Sequence, residues 1–126
     1  SQACARCHAE AFEIWKGSKH AHAYETLADP QPKTAGSLAD PNCVSCHTVG
    51  YGSAFGFADP RIDATRLGAG AAERALGDDL RGVGCESCHG PGLAHALRPS
   101  GPGRVAMGGV GARARETCYT CHDAEN

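Results

Sequence analysis

Large aromatic side chains are scarce in this sequence: three Phe, three Tyr and one Trp make up 6% of its 126 residues. Glycine (17) and proline (7) are plentiful instead, a composition that favours turns over packed layers. Side chains alone therefore supply little bulk for a stable core, and something else is expected to fill the middle. Charge of neither sign dominates. Twelve Lys and Arg against fourteen Asp and Glu leave a net charge of −2, without the basic face that nucleic acid requires, so a nucleic-acid partner is not expected. No apolar run reaches the roughly 18 residues of a spanning helix, so no membrane span is expected. The chain opens at Ser1 with neither Met nor a signal-like segment, as expected of a processed mature protein.

What the chain has in abundance is cysteine. Eight cysteines in a small exported domain would ordinarily suggest a disulfide framework. Their placement argues otherwise, because all eight fall in one repeated pattern: Cys4-Ala-Arg-Cys7-His8, Cys43-Val-Ser-Cys46-His47, Cys85-Glu-Ser-Cys88-His89 and Cys118-Tyr-Thr-Cys121-His122. C-x-x-C-H is the attachment signature of c-type haem, in which both thiols become thioethers and the next histidine binds the iron. Two intervening residues let one helical turn present both sulfurs to one porphyrin edge. Zinc knuckles and thioredoxin-like pairs share the C-x-x-C gap, yet neither has reason to place His after the second cysteine four times in four.

The expectation is thus four covalently attached haem c groups, with Cys4, Cys7, Cys43, Cys46, Cys85, Cys88, Cys118 and Cys121 as attachment points. His8, His47, His89 and His122 are then the proximal iron ligands. Four flat apolar macrocycles would replace the missing core and link folding to haem attachment. A compact chain of this length has a radius of gyration of roughly 14 Å, so neighbouring haems would lie close enough to exchange electrons. The motifs are irregularly spaced, four uses of one device rather than a strict repeat.

Seven histidines leave three beyond the motifs, His20, His22 and His95, as candidates for the opposite faces of four irons. Bis-histidine ligation is the expected state for most of the haems. On a helix, residues two apart project about 200° from each other, and on an extended segment they lie about 7 Å apart on one face. In neither geometry do both bind one iron from the same side, so His20 and His22 are expected to serve different haems. Three distal histidines leave one iron open, water-ligated or bound by a weaker ligand. Met107, in the glycine-rich "RVAMGGVG", is either that thioether or ordinary loop packing.

The expected fold is mainly α with extensive loops and little or no sheet, a single tetrahaem domain over 1–126. A helix is expected from Glu10 to Ala28, ending before Asp29-Pro30-Gln31-Pro32, with Trp15 as a haem-packing aromatic. Residues 30–42 read as linker, and "GYGSAFGF" at 50–57 as a short strand or a loop. Short helices are expected over 71–82, around His95 and before the fourth motif, with a sharp bend at "GPG", 90–92. Asp78, Asp79, Arg113 and Arg115 read as solvated surface charges, although arginines also pair with haem propionates.

The strings "CARCHAEAFEIWKGSKHAHA" at 4–23, "NCVSCHTVGYG" at 42–52 and above all "GVGCESCHGPG" at 82–92 resemble the tetrahaem cytochrome c-554 family. The resemblance runs through three of the four motifs. It implies that His20 is the distal ligand of the haem on Cys85 and Cys88, and that His95 serves the haem on Cys4 and Cys7. It further implies a five-coordinate second haem, leaving the iron on His47 open. The family's type member has a long segment after its fourth motif that supplies a distal histidine, and it has no counterpart of His22. The economical expectation is that His22 takes over that role for the haem on His122, within its own chain or, in a homo-polymer, in the next subunit.

The function expected is electron transfer outside the cytoplasm, in the periplasm or the cell exterior, between a donor and an acceptor protein. Two alternatives stand beside it: a subunit of an extracellular cytochrome filament, and a reductase of a small molecule such as nitric oxide at the open iron.

Overall fold

The computed structural model describes residues 1–28, 36–59, 80–108 and 114–122. Regular structure among these residues is helical, without a sheet; Thr48 and Arg81 form an isolated antiparallel bridge. Backbone contacts separate the chain into two compact units, Ser1–Gly84 and Cys85–Asn126.

In the first unit, helix α1 (Gln2–Ala5) carries the first motif into α2 (Ala9–Lys16). Good helix formers build α2, with Glu10 in its first turn and Lys16 in its last, each complementing the helix dipole. The expected helix through Ala28 does not form as one piece. Gly17 ends α2, its N–H reaching Glu13 C=O at 3.4 Å while Ser18 N–H reaches Trp15 C=O at 2.8 Å. The chain turns through 18–22 and restarts as α3 (Ala23–Ala28). The reason is local: glycine costs a helix interior about 1 kcal/mol, and the Ser18 hydroxyl accepts from Ala21 N–H at 3.4 Å, competing with the helical ladder. "His-Ala-His" therefore lies on a turn.

After a 3-10 turn at Ser37–Ala39, α4 (Pro41–His47) carries the second motif. The expected linker thus ends in ordered structure, while its earlier part, through 35, lies outside the described residues. Asp40 caps α4, its carboxylate accepting from Asn42 N–H at 2.9 Å, and Pro41 stands where a helix needs no N–H. Val44 is fully buried and joins Tyr24, Leu27 and Phe57 in the core, with Leu38, Cys43, Tyr51 and Leu80 packed around them. Residues 50–57 form a looped turn, not a strand, closed where Phe57 N–H meets Val49 C=O at 2.8 Å.

In the second unit, α5 (Cys85–His89), α6 (Leu93–Leu97) and α7 (Ala114–Tyr119) are each about a turn or two long. The bend between α5 and α6 uses Gly90 at φ 77°, a left-handed conformation suited to glycine. Glu86 steadies it by accepting from Gly92 N–H at 2.5 Å. Every buried apolar side chain among the described residues belongs to the first unit. The second unit leaves Leu93, Leu97 and Tyr119 largely exposed. The helix expected over 71–82 lies outside the described residues as far as 79, as do Asp78, Asp79 and Arg113.

Candidate haem sites

Each motif folds as the start or end of a helical turn. His8 N–H bonds Cys4 C=O at 2.9 Å, and His122 N–H bonds Cys118 C=O at 2.9 Å. The second and third motifs lie wholly within α4 and α5. Cysteines three apart on such a turn share one side, which is how one porphyrin edge is met twice. No disulfide joins the eight cysteines. In the second unit the Cys88 side chain is exposed, yet neighbouring atoms partly desolvate its sulfur. That burial raises its pKa first, and the charges of Cys118 and Cys85 add to the rise. The third and fourth motifs thus bring sulfurs near one another.

The histidine rings carry more information. His47 Nδ1 lies 2.6 Å from Ala23 C=O, and His89 Nδ1 lies 2.9 Å from Gly108 C=O. His95, on α6, directs its Nδ1 at Val105 C=O, 2.6 Å away. A carbonyl only accepts, so in each case Nδ1 carries the proton and donates. The neutral ring then keeps its lone pair on Nε2, the tautomer and orientation of a metal-binding histidine whose other nitrogen is tied to the backbone. Thr26 donates to the same Ala23 carbonyl at 2.6 Å, steadying the acceptor of His47.

His22 is arranged differently. Its Nδ1 lies 2.8 Å from Glu25 Oε2 and its Nε2 3.1 Å from Lys16 C=O, so both nitrogens face acceptors. His20 lies on the same exposed turn, its carbonyl accepting from Val83 N–H at 2.8 Å and from Ala23 N–H at 3.2 Å. His8 and His122 are exposed at the ends of their motifs. Met107, half-buried, would meet a Cβ on Gly92 with its thioether sulfur 3.6 Å away, a loop-packing contact.

A cavity of about 550 Å³ opens in the first unit beside α1, lined by Phe12, Trp15, Tyr24, Ala21, Gln2 and Arg81 among others. Phe12 and Trp15 are 5.4 Å apart between ring centres, and the Arg81 guanidinium sits 5.2 Å over the Tyr24 ring. An aromatic-walled space of this kind suits a flat apolar group with an anionic edge. Sulfur pairs on helical turns, tethered imidazoles and uncovered apolar side chains together fit haem c. Sequence reasoning named the candidate donors but not what holds them. The acceptors at Ala23, Val105 and Gly108 are backbone carbonyls, which every residue carries, so no signal marked them. Trp15, expected only as a packing surface, also donates its indole N–H to Val83 C=O at 2.8 Å.

A family model described as cytochrome c554 and c-prime matches residues 3–90. Cytochrome c-554 of Nitrosomonas europaea is 34% identical over 99 residues, which cover 71% of this chain and 36% of that protein. The chain thus spans about a third of the length of this curated relative. No solved structure matches it. The match holds the first three motifs together with His20 and His22, and on that evidence the chain belongs to the cytochrome c554 and c-prime family, whose cofactor is covalently bound haem c.

Proposed function

We propose that this chain is an electron carrier, a single tetrahaem domain working outside the cytoplasm between a redox donor and a redox acceptor. Each haem, when bound, supplies an iron that gains and loses one electron. The residues do the rest. Cys4 and Cys7, Cys43 and Cys46, Cys85 and Cys88, and Cys118 and Cys121 tether the four groups; His8, His47, His89 and His122 take the proximal positions. His20 and His95 supply distal ligands to two of them.

The observation that carries this reading is the shared tautomer of His47, His89 and His95. In all three a backbone carbonyl claims Nδ1, which leaves Nε2 as the ring nitrogen with the lone pair that iron needs. Ring orientations fixed in advance keep reorganisation small during electron transfer. Exposed Ile14 and Phe55 in the first unit, and Leu93 and Leu97 in the second, offer apolar surface for a macrocycle or for the edge of a redox partner.

The test is electron paramagnetic resonance of the oxidised, haem-loaded protein, with intact mass spectrometry to count attached haems. Four haems, with low-spin signals and one high-spin signal from the iron on His47, are expected. Fewer than four would remove the tetrahaem reading, and four low-spin signals would remove the open iron on which the reductase alternative depends.

For His22 to bind iron, its ring must release at least one of its two present acceptors. The same release would serve a haem of its own chain or of a neighbour. A His22→Ala variant separates the cases: a new high-spin haem in a monomer marks an internal ligand, and loss of filaments in negative stain with intact monomers marks a shared one.

A further inference from the structure

The four residues ahead of the third motif, Arg81–Gly84, make more backbone contacts in the first unit than their number suggests. Gly82 N–H donates to His47 C=O at 3.0 Å, and Val83 N–H donates to His20 C=O at 2.8 Å. Trp15 Nε1–H closes the arrangement on Val83 C=O at 2.8 Å. Just upstream, Val49 N–H reaches Leu80 C=O at 2.9 Å, and Arg81 bridges to Thr48, the residue after His47. Two successive N–H groups thus hold the carbonyls of two proposed ligand residues. Consecutive Cα atoms are 3.8 Å apart, so this dipeptide sets how far apart the two ligand-bearing segments can lie.

Glycine makes the approach possible. Gly82 has φ 78°, and a Cβ there would run into the carbonyl oxygen of Ala21, with His20 C=O a further 3.0 Å contact. Gly84 is less constrained: its Cβ would meet the side-chain atoms Ser1 Oγ and Val49 Cγ2, each at 2.7 Å, and not backbone. A side chain at Gly82 therefore pushes on the turn that carries His20 while straining the bond to His47. The turn belongs to no helix, so no continuous helical ladder opposes that push.

We propose that Gly82–Val83 is a positioning element which sets the register of His20 against His47, so that both imidazoles reach their irons from one backbone anchor. Gly82 and Val83 are positioning residues acting through hydrogen bonds to the two ligand segments, and Trp15 locks the anchor from the other side. The proposal rests on the ligand roles assigned above.

Gly36 supplies a matched control. It too has positive φ, 84°, but nothing lies within 4 Å of the Cβ it would gain. Replacing it imposes similar backbone strain without touching the turn. The experiment compares Gly82→Ala, Gly36→Ala and His20→Ala in the full, haem-loaded chain by electron paramagnetic resonance. Gly82→Ala is expected to lose the low-spin signal that His20→Ala removes and, at the same time, to alter the signal of the His47 haem. Gly36→Ala is expected to leave both as in the unmodified protein. An unchanged spectrum in Gly82→Ala with four haems attached overturns the proposal, and so does the same change in Gly36→Ala. Should Gly82→Ala fail to load haem, Trp15→Phe decides: it keeps an aromatic ring, though a smaller one, removes the N–H, and must shift both signals together. If His20→Ala itself changes nothing, the ligand assignment fails rather than the anchor.

Discussion

At the scale of single residues, exposure separates the contacts that matter from those that decorate. Val44 has no exposed surface and sits among Tyr24, Leu27 and Phe57. Val44→Ala removes two methyl groups from that cluster and is expected to cost about 2 kcal/mol in transfer and cavity terms, read as a fall in denaturant midpoint. The contact between His22 and Glu25 is 2.8 Å long, but its side chains are 56% and 72% exposed. Water screens such a pair, so Glu25→Gln is expected to change stability by less than about 1 kcal/mol in the same measurement. The histidines obey the same logic for chemistry. His47, His89 and His95 each spend Nδ1 on a backbone carbonyl, whereas His22 faces an acceptor from each nitrogen. All look alike in sequence, because a ring's partners lie 10 to 24 residues away for the first three.

At the scale of elements, the helices are short and each is set by its ends. Asp40 supplies an oxygen to Asn42 N–H and, with Pro41, starts α4 where the second motif needs it. Asp40→Ala is expected to cost about 1 kcal/mol, seen by circular dichroism during chemical unfolding. Asp40→Asn, which keeps the acceptor, should recover most of it. The N-cap and proline were legible in the letters. The break at Gly17 was not, since Glu10–Ala28 otherwise reads as helix formers, and only the hydrogen bonds of Gly17 and Ser18 stop it. That break puts His20 on a turn that Val83 can reach, which a continuous helix would not allow.

At the scale of the whole molecule, the scarcity of large side chains returns as a structural fact. Buried apolar residues among those described are confined to the first unit, and the second unit carries two haem motifs with its leucines exposed. Side-chain packing therefore has little with which to stabilise the second unit, and haem is what remains to do so. A chain with its eight cysteines replaced by serine is expected to lose cooperative unfolding of Cys85–Asn126, measured by limited proteolysis and circular dichroism. Protection of that unit equal to the haem-loaded protein would contradict this.

By itself the sequence pointed to the chemistry: four C-x-x-C-H motifs match the attachment signature of c-type haem, a local signal that needs only a helical turn. It also pointed to a helical, loop-rich chain with little side-chain bulk for a core. The tertiary structure decided which nitrogen each imidazole presents and how one glycine-bearing dipeptide holds the carbonyls of His20 and His47. Those are hydrogen bonds to backbone groups far along the chain, and a backbone carbonyl leaves no mark in the order of side chains.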